Sequence, residues 1–161
     1  MSSNPTIFYL ILLFLFINVL TGRVPSMLQT LLTNPIAGVS LMLGLIIGIT
    51  VHEFSHALVA YRLGDPTAKL EGRLTLNPQS HLDPIGTLMI LFVGFGWGKP
   101  TPFDPFNLRN IKRDSALISV AGAISNLIIA TLISLPYLIS HYFGLGDLTY
   151  LYTTYIAPFI W

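Results

Sequence analysis

The sequence has no cysteine. That absence excludes disulfides, thiolate metal sites and cysteine nucleophiles. Charge is scarce too: Asp, Glu, Lys and Arg make up 9% of the 161 residues, where an ordinary soluble domain carries about 25%. Too few charges remain to wet the surface of a globular domain, and a disordered segment needs more polarity than this. The formal net charge is only +1, so nothing points to nucleic acid as a partner. Internal repeats and low-complexity tracts are missing as well. What is present is apolar: 53% of residues are hydrophobic and the mean hydropathy is +0.71. The class left is a membrane protein, and the informative question is where its few charges sit.

The apolar runs are unevenly long. Ile7 to Leu20 is interrupted only by Asn18 and, with its flanks, predicts a span over 7–22. No Lys or Arg precedes it and no A-x-A-like site follows, so a retained helix is expected rather than a cleaved signal. A second helical pattern covers 36–63, carries His52, Glu53 and His56, and stops at Gly64-Asp65-Pro66. Ala68 to Leu76 then alternates apolar and polar residues, which predicts a short interfacial strand or hairpin. Its edge could hold an extended substrate by strand addition. Asn77 to Pro84 reads as a polar turn containing His81 and Asp83. Residues 84–98 are apolar but short and end in Gly94-Phe95-Gly96-Trp97-Gly98, which suits a re-entrant segment or short span. A proline-rich loop leads to a third span over 115–143, with a kink expected at Pro136. Residues 148–161 open a further apolar segment inside which the sequence stops. The expected fold is one membrane-embedded domain over 1–161, an all-α polytopic protein with a short β-strand or hairpin and a re-entrant segment.

Charge placement gives an orientation. Arg62, Lys69 and Arg73 follow the second span; Lys99, Arg109, Lys112 and Arg113 precede the third. The positive-inside rule puts both loops in the cytoplasm. Residues 84–98 must then return to the side they left, and Arg23 alone falls on the outer side.

His52-Glu53-Phe54-Ser55-His56 matches H-E-x-x-H. Residues four apart on a helix are separated by about 40° around its axis, so both imidazoles can face one zinc ion. Glu53 stands beside them as general base for a metal-activated water. A charged residue near a bilayer centre costs about 2.5–3.5 kcal/mol on insertion scales, so this cluster in a membrane helix argues for function. A haem is disfavoured, because axial ligands approach iron from opposite faces. At about 1.5 Å per residue, the histidines lie roughly 9–15 Å from Arg62, within the membrane toward its cytoplasmic side.

With these motifs in place, the sequence resembles the site-2 protease family of intramembrane zinc metalloproteases, most closely its short prokaryotic members. The matching pieces are HEFSHALVAYRLGDPTA at 52–68, GRLTLNPQSHLDPIGTL at 72–88, GFGWGKPTPF at 94–103, NLRN at 107–110 and AGAISN at 121–126. The resemblance implies an endopeptidase that cuts transmembrane protein substrates in the bilayer of a prokaryotic plasma membrane, with one zinc ion as cofactor. It makes His52 and His56 zinc ligands, Glu53 the catalytic base, and Asn126 a substrate or oxyanion contact. The family has proline where this chain has Ala123. Its third ligand is an aspartate in a downstream LDG-like segment, expected here beyond Trp161; Asp147 does not fit that motif. Asp83 is the local substitute to consider, with His81 beside it. Otherwise Asn77, His81 and Asp83 are turn residues or supports for the ligands, and His141 is interfacial. Two rivals remain. One is an inactive membrane scaffold or regulator of the same fold. The other is a metal carrier, which would normally show paired discontinuous spans. Oligomeric state is not legible.

Overall fold

Asn34 opens the first long helix. Its side chain accepts from the Ala37 backbone N–H at 3.2 Å and Pro35 occupies the first helical position. In the computed structural model the chain then runs in the order α1 (Met27–Thr33), α2 (Pro35–Arg62), α3 (Thr67–Leu70), α4 (Pro84–Val93), α5 (Ile111–Tyr142) and α6 (Gly146–Leu151). Short 3-10 turns occupy Pro78–Ser80 and Pro105–Asn107, and Tyr152–Ile156 is π-helical. The structure describes residues 27–156 and, before them, Thr6, Tyr9, Leu10, Leu13, Phe14, Ile17 and Thr21. The first expected span, 7–22, therefore lies largely outside the described residues, as does the end of the segment 148–161.

Two helices, α2 and α5, are long and apolar enough to cross a membrane. A soluble protein would bury such helices. Here only 17% and 11% of their most apolar windows are buried, and Leu127 and Leu132 on α5 are exposed. They pack on each other through small side chains, which lets the backbones approach. Ala57 and Ala60 of α2 are fully buried, Ala60 clustering with Ile118 of α5, and Gly122 of α5 is buried against the His52 ring. Ala60, Leu108 and Ile118 form the core, with Val59, Leu63 and Phe103 around it. α5 starts four residues before the expected 115 because Asn110 accepts from Arg113 N–H at 3.1 Å while Asp114 reaches back to the Asn110 N–H at 2.9 Å. Pro136 lies inside α5 without ending it. The Tyr152 hydroxyl donates to the Ile133 carbonyl at 2.8 Å, next to the turn that the proline deprives of an N–H.

The strand expected over Ala68–Leu76 is not formed. Thr67–Leu70 is helical, turns follow, and no sheet is present among the described residues. Gly72 adopts φ +70, and the Arg73 N–H closes on the Ala68 carbonyl at 2.8 Å, so the chain curls. The alternation also misassigned the inside: Leu70 is 80% exposed and Leu76 59%, whereas Arg73 is only 4% exposed.

Residues 83–98 leave and return. α4 starts at the Asp83 cap and ends at Gly94, whose φ of 82 lets the chain reverse. The returning stretch packs backbone to backbone against α4: a Cβ on Gly86 would sit 2.1 Å from the Trp97 carbonyl oxygen. An antiparallel bridge joins Leu82 to Gly98, and the Lys99 N–H donates to the His81 carbonyl at 2.7 Å. Both ends of the segment therefore meet.

Candidate metal centre

His52, Glu53 and His56 all lie on α2. The two imidazoles stand nearly perpendicular, with ring centroids 4.7 Å apart. Their orientation comes from α5. His56 Nδ1 lies 2.6 Å from the Ile118 carbonyl oxygen, a contact that fixes the Nδ1–H tautomer and leaves Nε2 as the ligating nitrogen. The His52 ring lies over Gly122. A Cβ there would come within 2.5–2.6 Å of ring atoms Nε2, Cδ2 and Cε1. His52 Nδ1 is 3.4 Å from the Asn126 amide nitrogen, and the Asn126 Oδ1 is buried without a partner.

Glu53 is held from a different direction. Its Oε2 accepts from the Thr101 N–H at 2.8 Å, and its backbone carbonyl accepts from the Thr101 hydroxyl at 3.0 Å. Thr101 is itself anchored through its neighbours. The buried guanidinium of Arg73 donates to the carbonyls of Ser80, Lys99 and Pro100. His81, fully buried, bonds the Thr75 carbonyl through Nε2 at 2.7 Å and leaves Nδ1 unpaired. A second knot lies at the end of α2. Asp65 is fully buried and accepts from the Thr67 N–H and hydroxyl, the Asp104 N–H and the Asn107 amide. Burial pushes its pKa up, but these hydrogen bonds together outweigh it and hold the carboxyl below its ordinary value.

A cavity of about 880 Å³ opens beside His52 and Glu53. Gly44, Gly48, His52, Glu53, Trp97 and Asn126 are among its lining residues, drawn from α2, α5 and the returning segment. Two imidazoles and a carboxylate within one helical turn are a donor set that suits zinc. They supply two of the three protein ligands a catalytic zinc usually takes. Among the described residues no group of three His, Asp or Glu side chains converges.

The other candidate residues have local partners. Asp83 caps α4, accepting from the Gly86 N–H at 2.7 Å. Asn77 caps the 3-10 turn at Gln79. His141 stacks on Tyr137, and the Asp147 side chain lies outside the described residues. Thr101 and Gly122 went unnoticed in the sequence, and Arg73 stood there only as a loop cation, not as the buried anchor it is. Thr101 lies inside GKPTPF and Gly122 inside AGAISN, so the motifs covered them without distinguishing them from their neighbours.

Comparison with known proteins decides the relationship. A Bacillus subtilis (strain 168) protein named "Putative zinc metalloprotease YwhC" is 46% identical over 105 residues, which is 65% of this chain and 48% of that protein. The chain is a homologue of this protein. Proteins named "Putative zinc metalloprotease Rip2" match it as well. That of Mycolicibacterium smegmatis is 33% identical over 95 residues, 56% of this chain and 36% of the relative. That of Mycobacterium tuberculosis (strain Erdman) is 32% identical over 105 residues, 60% and 40% respectively. The chain thus spans less than half the length of each of these relatives. No family model matches it, and no solved structure matches it significantly.

Proposed function

We propose that this chain carries the core of a zinc-dependent endopeptidase that hydrolyses transmembrane substrates within the bilayer. The observation that carries the reading is the arrangement on α2: two imidazoles oriented by α5, with a carboxylate beside them held by a backbone N–H. His52 and His56 would hold the ion, together with a third ligand from outside the described residues. Zinc bound there supplies Lewis-acid activation of water and of the scissile carbonyl. Glu53 takes the proton of the attacking water and returns it to the leaving amine. Thr101 occupies Oε2, so Oε1 is the oxygen left to carry that proton. Asn126 orients His52 and offers an amide to the carbonyl oxygen of the substrate. The cavity beside Glu53 admits a peptide segment, which must leave its helix to expose a carbonyl. The apolar, exposed faces of α2 and α5 suit lipid, which supports a membrane location, and the basic residues at the end of α2 and the start of α5 favour a centre toward the cytoplasmic leaflet.

A catalytically silent scaffold of the same fold is the competing reading, favoured by the two-ligand set among the described residues. Zinc content of the purified chain, together with cleavage of a reporter transmembrane helix in proteoliposomes, separates the two. One zinc per chain with chelator-sensitive cleavage supports the enzyme. A chain that holds no zinc supports the scaffold.

A further inference from the structure

The near-zero net charge conceals an uneven division. Five carboxylates are turned inward onto backbone N–H groups: Glu53 onto Thr101, Asp65 onto Thr67 and Asp104, Asp83 onto Gly86, Asp104 onto Phe106 and Asp114 onto Asn110. Most basic side chains are turned outward, with Arg73 the buried exception. Arg62, Lys69, Arg109, Lys112 and Arg113 are all exposed, on the segments where α2 ends and α5 begins. These five acids cap and knot the chain; Glu71, beside Leu70, is an exposed carboxylate, and against the five exposed cations it leaves the outer surface at this end net basic.

Two large apolar side chains stand among these bases. Phe106 is 88% exposed and Leu70 is 80% exposed. Neither sits on a loose loop. Asp65 binds Thr67 at the start of α3, which Leu70 ends, and it binds Asp104 and Asn107 on either side of Phe106. One buried carboxylate therefore holds both apolar residues on one rigid knot. Exposed leucine and phenylalanine interspersed with lysine and arginine are the chemistry of binding to an anionic bilayer surface: apolar groups enter the acyl boundary and cations meet the headgroups. The knot lies where both long apolar helices end, so on the membrane reading proposed above a leaflet is already at hand.

We propose that this knot is a docking foot for anionic phospholipid. Leu70 and Phe106 insert at the headgroup boundary, and Arg62, Lys69, Arg109, Lys112 and Arg113 hold the headgroups. The inference rests on the membrane-spanning part of the proposed function and is independent of proteolysis. Because the docked knot carries Asp104 and Asn107 at one end of the loop that continues from Thr101, lipid charge would steady the same loop that holds Glu53.

Because the sequence has no cysteine, a Phe106→Cys variant of the full chain takes a single polarity-sensitive fluorophore. It is reconstituted in nanodiscs of phosphatidylcholine alone or with phosphatidylglycerol as the minor component. Leu70→Cys is labelled in parallel. Leu132→Cys, on the exposed apolar face of α5, reports spanning by itself. The expected result is a blue-shifted signal at 106 and 70, quenched by shallow spin-labelled lipid, and stronger with phosphatidylglycerol. Neutralising Arg109, Lys112 and Arg113 to Gln should weaken the association about fivefold per residue, and added salt should act the same way. A label at 106 that stays in water in both lipids while that at 132 is quenched overturns the proposal, including the case in which a protein partner covers this surface instead. Quenching at 106 that ignores headgroup charge and the Gln substitutions also overturns it. A label at 132 that is not quenched removes the membrane reading, and the docking foot falls with it.

Discussion

Replacing Gly122 by alanine puts one methyl group where the His52 ring now lies. The new Cβ would approach Nε2, Cδ2 and Cε1 to 2.5–2.6 Å, about 1 Å inside the optimum separation of non-bonded carbon atoms. α5 cannot simply retreat. The His56–Ile118 contact at 2.6 Å and the buried Ala57 and Ala60 hold it against α2. The ring must move instead, and it can, because His52 lines the cavity. Stability should therefore fall little, toward the lower end of the roughly 1–3 kcal/mol typical of overpacking. Metal binding should suffer more. Zinc–nitrogen bonds tolerate errors of only about 0.2 Å, and disturbing a ligand's support typically costs 10–100-fold in metal affinity. The assay is a competition titration of zinc against a chelator, run on the parent and Gly122→Ala, with thermal unfolding of both zinc-free proteins alongside. A variant that melts near the parent temperature and binds zinc at least about tenfold more weakly fits the reasoning. Unchanged zinc affinity in a folded variant would refute it, since His52 would then not be positioned by its contact with Gly122.

Two further outcomes follow from the buried polar groups. Arg73→Met removes three hydrogen bonds from a charged donor and leaves the Ser80, Lys99 and Pro100 carbonyls without it. A hydrogen bond to a charged group is worth about 1.5–3 kcal/mol, so the loss should be seen as a lower denaturation midpoint. Hydrogen exchange at the Thr101 amide should accelerate in the same variant, and Arg73→Lys should recover only part of the loss. The carboxyl of Asp65 titrates below its unfolded value of 3.8. Its contribution is therefore present in full above that value and is lost as pH falls through the lower folded pKa, because the unfolded chain binds the proton first. Asp65→Asn should flatten this acid limb of the stability profile, and an unchanged limb would count against the knot.

Legibility in the sequence followed the range of the interactions. Helical periodicity alone puts His52, Glu53 and His56 on one turn, and Gly64-Asp65-Pro66 marks the end of α2, because both are local statements. The short apolar segment 84–98 and the basic loops on either side already imply that the chain doubles back, and Leu82 and Gly98 do meet. Local pattern failed where tertiary contacts decided. Alternation over Ala68–Leu76 competed with the left-handed Gly72 and the buried Arg73, and these won. Asp83 resembled a spare ligand but caps a helix. The bond from Thr101 to Glu53 crosses 48 positions, and the seat of His52 on Gly122 joins two helices. Neither leaves a mark in spacing, since a glycine needed for close approach looks like any other.

The most direct measurement compares the parent chain with Glu53→Gln in proteoliposomes, reading bound zinc and cleavage of a reporter transmembrane helix on the same samples. The substitution keeps the shape of the side chain and removes its basicity, while His52 and His56 are untouched. Zinc should stay bound, and cleavage should fall by about 10²–10⁴-fold, the usual worth of a positioned general base. Cleavage at the parental rate by a zinc-loaded Glu53→Gln chain would contradict the role assigned to Glu53 and, with it, the proposed mechanism.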